Sequence, residues 1–595
     1  MKLLVVFTVM VLLVRNSPAE TPTVEIAKAK AARVILEKWQ HASPESESRY
    51  LHLICWTPAD REFPDNYSAR LTRIMEHIQE FYRGEMERFG FDDHTIQLQY
   101  KNDQLVLHAI RGEHPEEYYG KQSGNEIRTE CLETLRKAGV DAESETLVIF
   151  CNLADWDEQK LKFTHKSPYY AGGTYRSGTA WQLDSPELDT QNIPLLKPII
   201  FDGEYGKISL GRHNSIFIGG VAHELGHALG LPHCRARPDE RIRGTALMGS
   251  GNRTYGQEVR SEGLGSFMTL AHVLRLASHP QFSGSVKGIN AKVESSIEDL
   301  KIEADGNAIE VSGTVAGTPP IYAVIAYFDP EGGSDYDSTT ATAIPNSDGT
   351  FQIRSNALMR GKKGELRLFP LHVNGSASGR MSRTKFRYPY RVDTNGIPDV
   401  STIQVKQELA AFMKAFAGGD RNQAEVLAGT LKHKLAKEIA TNLLDRTVSV
   451  ETPAEYRGQS EAMPLTQFKP SEAKVGWGRP TYNRVPGQTL LLESGGKLFT
   501  TGIYAHAPAE HVYNLGAKWN SLEGHVGIDS GHSGSVQFTI LGDGKPLWQS
   551  DVIKSGVTSF KINLTGINQL KLITDPTADG ASSDWGFWFD PILQK

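Results

Sequence analysis

Cysteine is scarce in this chain. There are four in 595 residues, Cys55, Cys131, Cys151 and Cys234, all in the first 240 positions. So few cross-links exclude a small disulfide-stapled scaffold, because a chain of this length must be held by apolar cores instead. Four cysteines allow three pairings and the sequence does not choose among them; Cys234 reads equally well as a free buried thiol. Long apolar runs are also missing. The longest, from Leu3 to Val14, falls short of the roughly 20 residues that cross a bilayer, so no membrane span is expected. Basic tracts are absent, and 64 Lys and Arg against 70 Asp and Glu leave a net charge of −6. That balance argues against a nucleic-acid partner, which would need clustered positive charge. With 39% hydrophobic and 23% charged residues, the composition is that of a soluble multidomain protein.

Lys2, the apolar run after it, and the small residues Ser17 and Ala19 read as a secretory signal peptide over residues 1–19. The expected location is therefore extracellular or periplasmic.

One stretch carries chemistry. His223-Glu224-Leu225-Gly226-His227 places two imidazoles four residues apart, one helical turn above each other on one face. Glu224 stands beside the first imidazole, placed to act on a water without ligating a metal. Gly230 can adopt φ > 0, so the helix can stop and turn back there, bringing His233 towards the pair. Three nitrogen ligands leave a tetrahedral zinc with one open position, the arrangement of a catalytic rather than a structural site. An ordinary amphipathic helix would require three histidines, a glutamate and a helix-ending glycine to coincide.

This run, followed by Ala246-Leu247-Met248-Gly249, resembles the metzincin zinc metallopeptidases. The resemblance implies a zinc ion on His223, His227 and His233, Glu224 as general base, and Met248 in the Met-turn under the metal. It also implies a twisted sheet with the active-site helix beneath it. Ser250 stands where some members place a tyrosine, so that role is not carried over.

Local patterns agree with an α/β layer. Tyr50 to Trp56 and Thr146 to Cys151 are continuous apolar runs, as buried strands require. Residues 68–89 repeat Leu71, Ile74, Met75, Ile78, Phe81 and Tyr82 at helical spacing. Tyr169 to Tyr175 reads either as an edge strand that an extended peptide could join or as a surface loop. The peptidase domain is assigned to 20–285. Short β-type runs at Ala308–Gly313, Ile321–Phe328 and Thr350–Ile353 predict an all-β sandwich over 286–395, read as a spacer or accessory module. Its acidic loop, Asp329 to Asp337, reads as a solvated turn, with Ca2+ the other candidate. Residues 396–463 predict a helical hairpin and linker, broken at Gly418-Gly419-Asp420.

The segment 464–595 contains Lys474-Val475-Gly476-Trp477-Gly478, Gly502 to Ala509, Val512 to Gly516, Gly527-Ile528-Asp529 and Thr539 to Gly544 in order. Together these resemble the NPCBM (NEW2-type) module, which implies a jelly-roll-like β-sandwich with a carbohydrate ligand. His506, Trp585 and Trp588 are the candidate sugar contacts, with core packing as the alternative for each. The function expected is a secreted zinc endopeptidase acting on a protein or glycoprotein and aimed by a sugar-binding module. The alternatives are a glycan-binding adhesin or a glycoside hydrolase-associated protein whose metal site is not proteolytic.

Overall fold

The computed structural model describes residues 22–377, 384–445, 461–487 and 491–595. The leader-like run at 1–19 lies outside these residues. The protein is multidomain and mixed α/β. One compact unit ends at Pro398 and a second runs Asp399–Lys595.

The first unit is built on a five-stranded sheet in the order Leu107–Arg111, Leu51–Thr57, Thr146–Cys151, Gly178–Leu183, Tyr170–Gly173. The first four strands are parallel and the last is antiparallel. Both faces are covered, which explains the unbroken apolar runs. Leu51, Leu53 and Cys55 face the helices Tyr67–Glu87 and Leu210–Ala228, whereas Ile54 and Trp56 face Gly124–Lys137. Tyr170–Gly173 pairs on one side only, so the segment read as strand or loop is the sheet's edge.

All four cysteines are buried free thiols. Burial pushes the Cys55, Cys131, Cys151 and Cys234 thiols upward, so none is an activated thiolate.

Residues 294–392 form two antiparallel sheets, as the β-type runs predict. This sandwich is not a spacer. Tyr322, Ala323, Ile325, Tyr327, Phe369, Leu371 and Val373 belong to the same continuous apolar core as the helix Leu210–Ala228.

In the second unit, the expected helical hairpin is three helices, Ser401–Ala417, Arg421–Thr430 and Lys434–Asp445. The second break falls at Leu431-Lys432-His433, where Glu408 accepts hydrogen bonds from the backbone N–H groups of Lys432 and His433. A side chain from a neighbouring helix thus caps the break, which lies two residues beyond Gly429. A β-sandwich of two five-stranded sheets follows.

Candidate active site

The helix Leu210–Ala228 presents the site. Its N-terminus is capped by the Ser209 hydroxyl, which accepts from the Arg212 N–H at 3.1 Å. Nearly every residue of this helix is buried, so its position is fixed from all sides. It ends where the sequence predicts: Gly230 has φ +83°, and the Leu231 N–H returns to the Gly226 carbonyl at 2.9 Å. The chain then reverses through Pro232 and delivers His233.

His223, His227 and His233 come together, each with a ring nitrogen within 4.8 Å of the others. The carbonyls of Leu247 and Leu231 can only accept, so His223 and His227 donate to them through Nδ1, at 2.7 and 2.8 Å. Both Nε2 atoms are thereby left as lone pairs. The Nε2 atoms of His227 and His233 meet at 3.0 Å. Burial, with the neighbouring imidazoles second, holds His223 down to about 4 and His233 to about 3; His227 is lowered by burial. Neutral imidazoles with converging lone pairs are a donor set that fits a borderline-soft cation such as zinc. The backbone carbonyls that orient two of the rings are the outer shell such a site requires.

Glu224 is half-buried beside His223, and desolvation pushes its carboxyl up to about 8. Tyr169, partly buried, and Tyr336 both lie close enough to feel its charge. Met248 is 1% exposed, and its sulfur lies 2.5 Å from where a Cβ on Gly226 would stand. Only glycine between the two helical histidines permits that approach. Met248 therefore forms an apolar floor under the helix, and the turn that carries it supplies the Leu247 carbonyl to His223.

Tyr336 has no signal in the sequence. It comes from the acidic loop of the β-sandwich and stacks on His233, with centroids 3.6 Å apart and planes 26° from parallel. The loop is a turn with Glu331, Gly332 and Ser334 exposed, but most of its acidic side chains are paired. Asp329 and Asp335 pair with Arg367 at 2.8 Å each, and Asp337 lies 3.3 Å from Arg235, which follows the third histidine by two residues. Three of the loop's four carboxylates are engaged by guanidinium groups, which compete with the donor set that Ca2+ would need. Among the described residues the three histidines form the one group of potential metal ligands.

In the second unit the three candidate sugar contacts separate. Trp588 is fully buried between the sheets, edge-on to Phe538 and Phe560, and is core. Trp585 stands just before the strand Gly586–Gln594, whereas Trp588 lies within it and turns inward. His506 is 8% exposed, with Nδ1 2.9 Å from the Ala507 carbonyl oxygen. Trp585 is partly exposed and stacks on His532 at 4.0 Å, with Trp477 beside it at 5.1 Å. Trp477, 56% exposed, and His532 were not among the candidates; nothing in local spacing brings them to Trp585.

Residues 461–594 match the NPCBM/NEW2 domain family, in agreement with the resemblance seen from 464 onward. The chain is 35% identical over 107 residues, 17% of its length, to alpha-1,3-galactosidase B of Akkermansia muciniphila. It is 27% identical over 122 residues, 19% of its length, to a putative endo-alpha-N-acetylgalactosaminidase of Renibacterium salmoninarum. It spans 13% and 8% of the length of these two curated relatives. Among solved structures it is similar to catalytically inactive OgpA from Akkermansia muciniphila in complex with an O-glycopeptide substrate. That match has a TM-score of 0.49 and 22% identity, and covers 59% of this chain and 94% of that one.

Proposed function

We propose that this protein is an exported, zinc-dependent endopeptidase of glycoproteins, directed to sugar-bearing surfaces by its C-terminal module. The observation that supports it is the convergence of His223, His227 and His233 beside Glu224. A zinc ion on those three nitrogens would supply Lewis-acid chemistry to a peptide carbonyl and an attacking water. Glu224 takes the proton of that water and passes it to the leaving amine. Its burial suits the role, since a carboxyl lifted towards neutrality both accepts and returns a proton readily. A cation nearby would favour the ionised form and so the accepting step. Tyr170–Gly173 offers an unpaired edge along which an extended peptide adds by main-chain hydrogen bonds. The NPCBM/NEW2 match and the exposed Trp477 beside Trp585 support the sugar-directed part of the reading. The leader-like run at 1–19 supports export.

The test is cleavage of casein and of an O-glycopeptide, the substrate named for the OgpA structure, followed by mass spectrometry with and without a chelator. Glu224→Gln is expected to lower turnover by about 10²- to 10⁴-fold with zinc content unchanged. Turnover that survives the substitution, or survives complete removal of metal, refutes the reading.

A further inference from the structure

A cavity of about 650 Å³ opens beside His227. One wall is the end of the edge strand, Ala171 to Tyr175; another is the helix-ending turn Leu229 to Pro232; Leu371, Gly375 and Ala377 of the sandwich close it. Arg275 also lines it.

Arg275 is the unusual member. Its Nε donates to the Tyr327 hydroxyl at 3.0 Å, and its guanidinium lies 5.6 Å and 5.1 Å from the ring centroids of Tyr327 and Phe369. Two aromatic rings and one hydrogen bond hold the group in a single place. Yet among the described residues no carboxylate pairs with it. The other buried arginines of this unit do have acidic partners: Arg70 has Asp184, Arg243 has Glu85 and Arg260 has Glu262. A half-buried cation facing a cavity, held by ring faces and a single neutral hydroxyl, keeps donors free for an anion, and the planar fork matches a carboxylate.

We propose that this cavity is a substrate subsite that takes a carboxylate-bearing group of the peptide, with Arg275 as its specificity-determining residue. The proposal rests on the peptidase reading. A peptide laid along Tyr170–Gly173 passes the mouth of the cavity on its way to the histidines, because Ala171, Gly172, Gly173 and His227 line the same space. The volume lies within the range of small-molecule sites and exceeds what an acidic side chain fills, so an acidic sugar on the peptide fits the same chemistry.

The experiment uses the full chain carrying Glu224→Gln and reads peptide binding by fluorescence anisotropy. Peptides of one backbone carry Gln, Glu, a neutral O-glycan or the same glycan ending in sialic acid. At least one acidic member is expected to bind about tenfold or more tighter than its neutral counterpart, which also identifies the source of the carboxylate. Arg275→Met should remove that preference and Arg275→Lys should retain part of it. Equal binding of both acidic and neutral pairs, or a preference that survives Arg275→Met, overturns the proposal. A second measurement needs neither a variant nor turnover: phenylglyoxal labelling of Arg275, followed by mass spectrometry. N-acetylglutamate or free sialic acid should slow it several-fold. Protection without peptide hydrolysis by the unsubstituted chain would sink the peptidase reading and keep the subsite; labelling unchanged by either acid would sink the subsite alone.

Discussion

The ring of Tyr336 lies flat against the imidazole of His233, 3.6 Å between centroids, although the two residues belong to different β and α/β layers of the first unit. The third histidine stands on a turn rather than on the helix, so its orientation depends on what packs against it. Among the described residues its Nδ1 meets no backbone carbonyl of the kind that orients His223 and His227. The stacked tyrosine supplies the missing constraint. Tyr336→Ala is expected to weaken zinc affinity about 10-fold, within the range for outer-shell changes, whereas Tyr336→Phe keeps the stack and the affinity. Competition with a chromophoric chelator checks this; equal affinities for all three proteins would contradict it.

Gly230 is the hinge that brings His233 back. At φ +83°, an alanine pays about 1–2 kcal/mol, and its Cβ would come 3.3 Å from the Thr174 Cα. Gly230→Ala should lower the melting temperature of the first unit by about 1–3 °C and reduce zinc affinity as well. Unfolding monitored with and without zinc separates the two effects.

The second unit should be acid-sensitive through His511. This imidazole is fully buried in the strand Ala509–Asn514 with neither ring nitrogen hydrogen-bonded, and burial holds it at about 4 against 6.5 for the ordinary side chain. Between those values the unfolded chain binds a proton that the folded one refuses, so stability rises with pH. Acidification from pH 7 to 4 should therefore cost this unit about 3 kcal/mol through this residue. Hydrogen exchange of the strand in the full chain at both pH values measures it, and His511→Leu should flatten the dependence.

The two tryptophans at the end of the chain should behave oppositely. Trp588→Ala opens a cavity in the sandwich core and should cost about 3–5 kcal/mol. Trp477→Ala, at a half-exposed position beside Trp585, should leave stability nearly unchanged. It should weaken binding of a glycoprotein by up to about tenfold, read by calorimetry. Unaltered binding in Trp477→Ala would remove this rim from the ligand site.

Much of the site was legible because its spacing is local. Four residues along a helix bring His223 over His227 whatever else the chain does, and a glycine in the left-handed region returns it towards His233. The buried strands were legible for a similar reason: a sheet covered on both faces selects apolar residues without alternation. The helix break at Leu431 was not, because its cap is a glutamate from another helix.

What the sequence determined by itself is therefore the short-range chemistry: two imidazoles and a carboxylate on one turn, the reversal after them, and the strand-forming runs. Only the tertiary structure decided what surrounds that chemistry. It placed Tyr336 on His233, Arg275 at the cavity wall and Trp588 inside rather than at the rim. Those outcomes depend on how separately coded layers pack, and packing is set by the shapes of whole faces, which no spacing along the chain records.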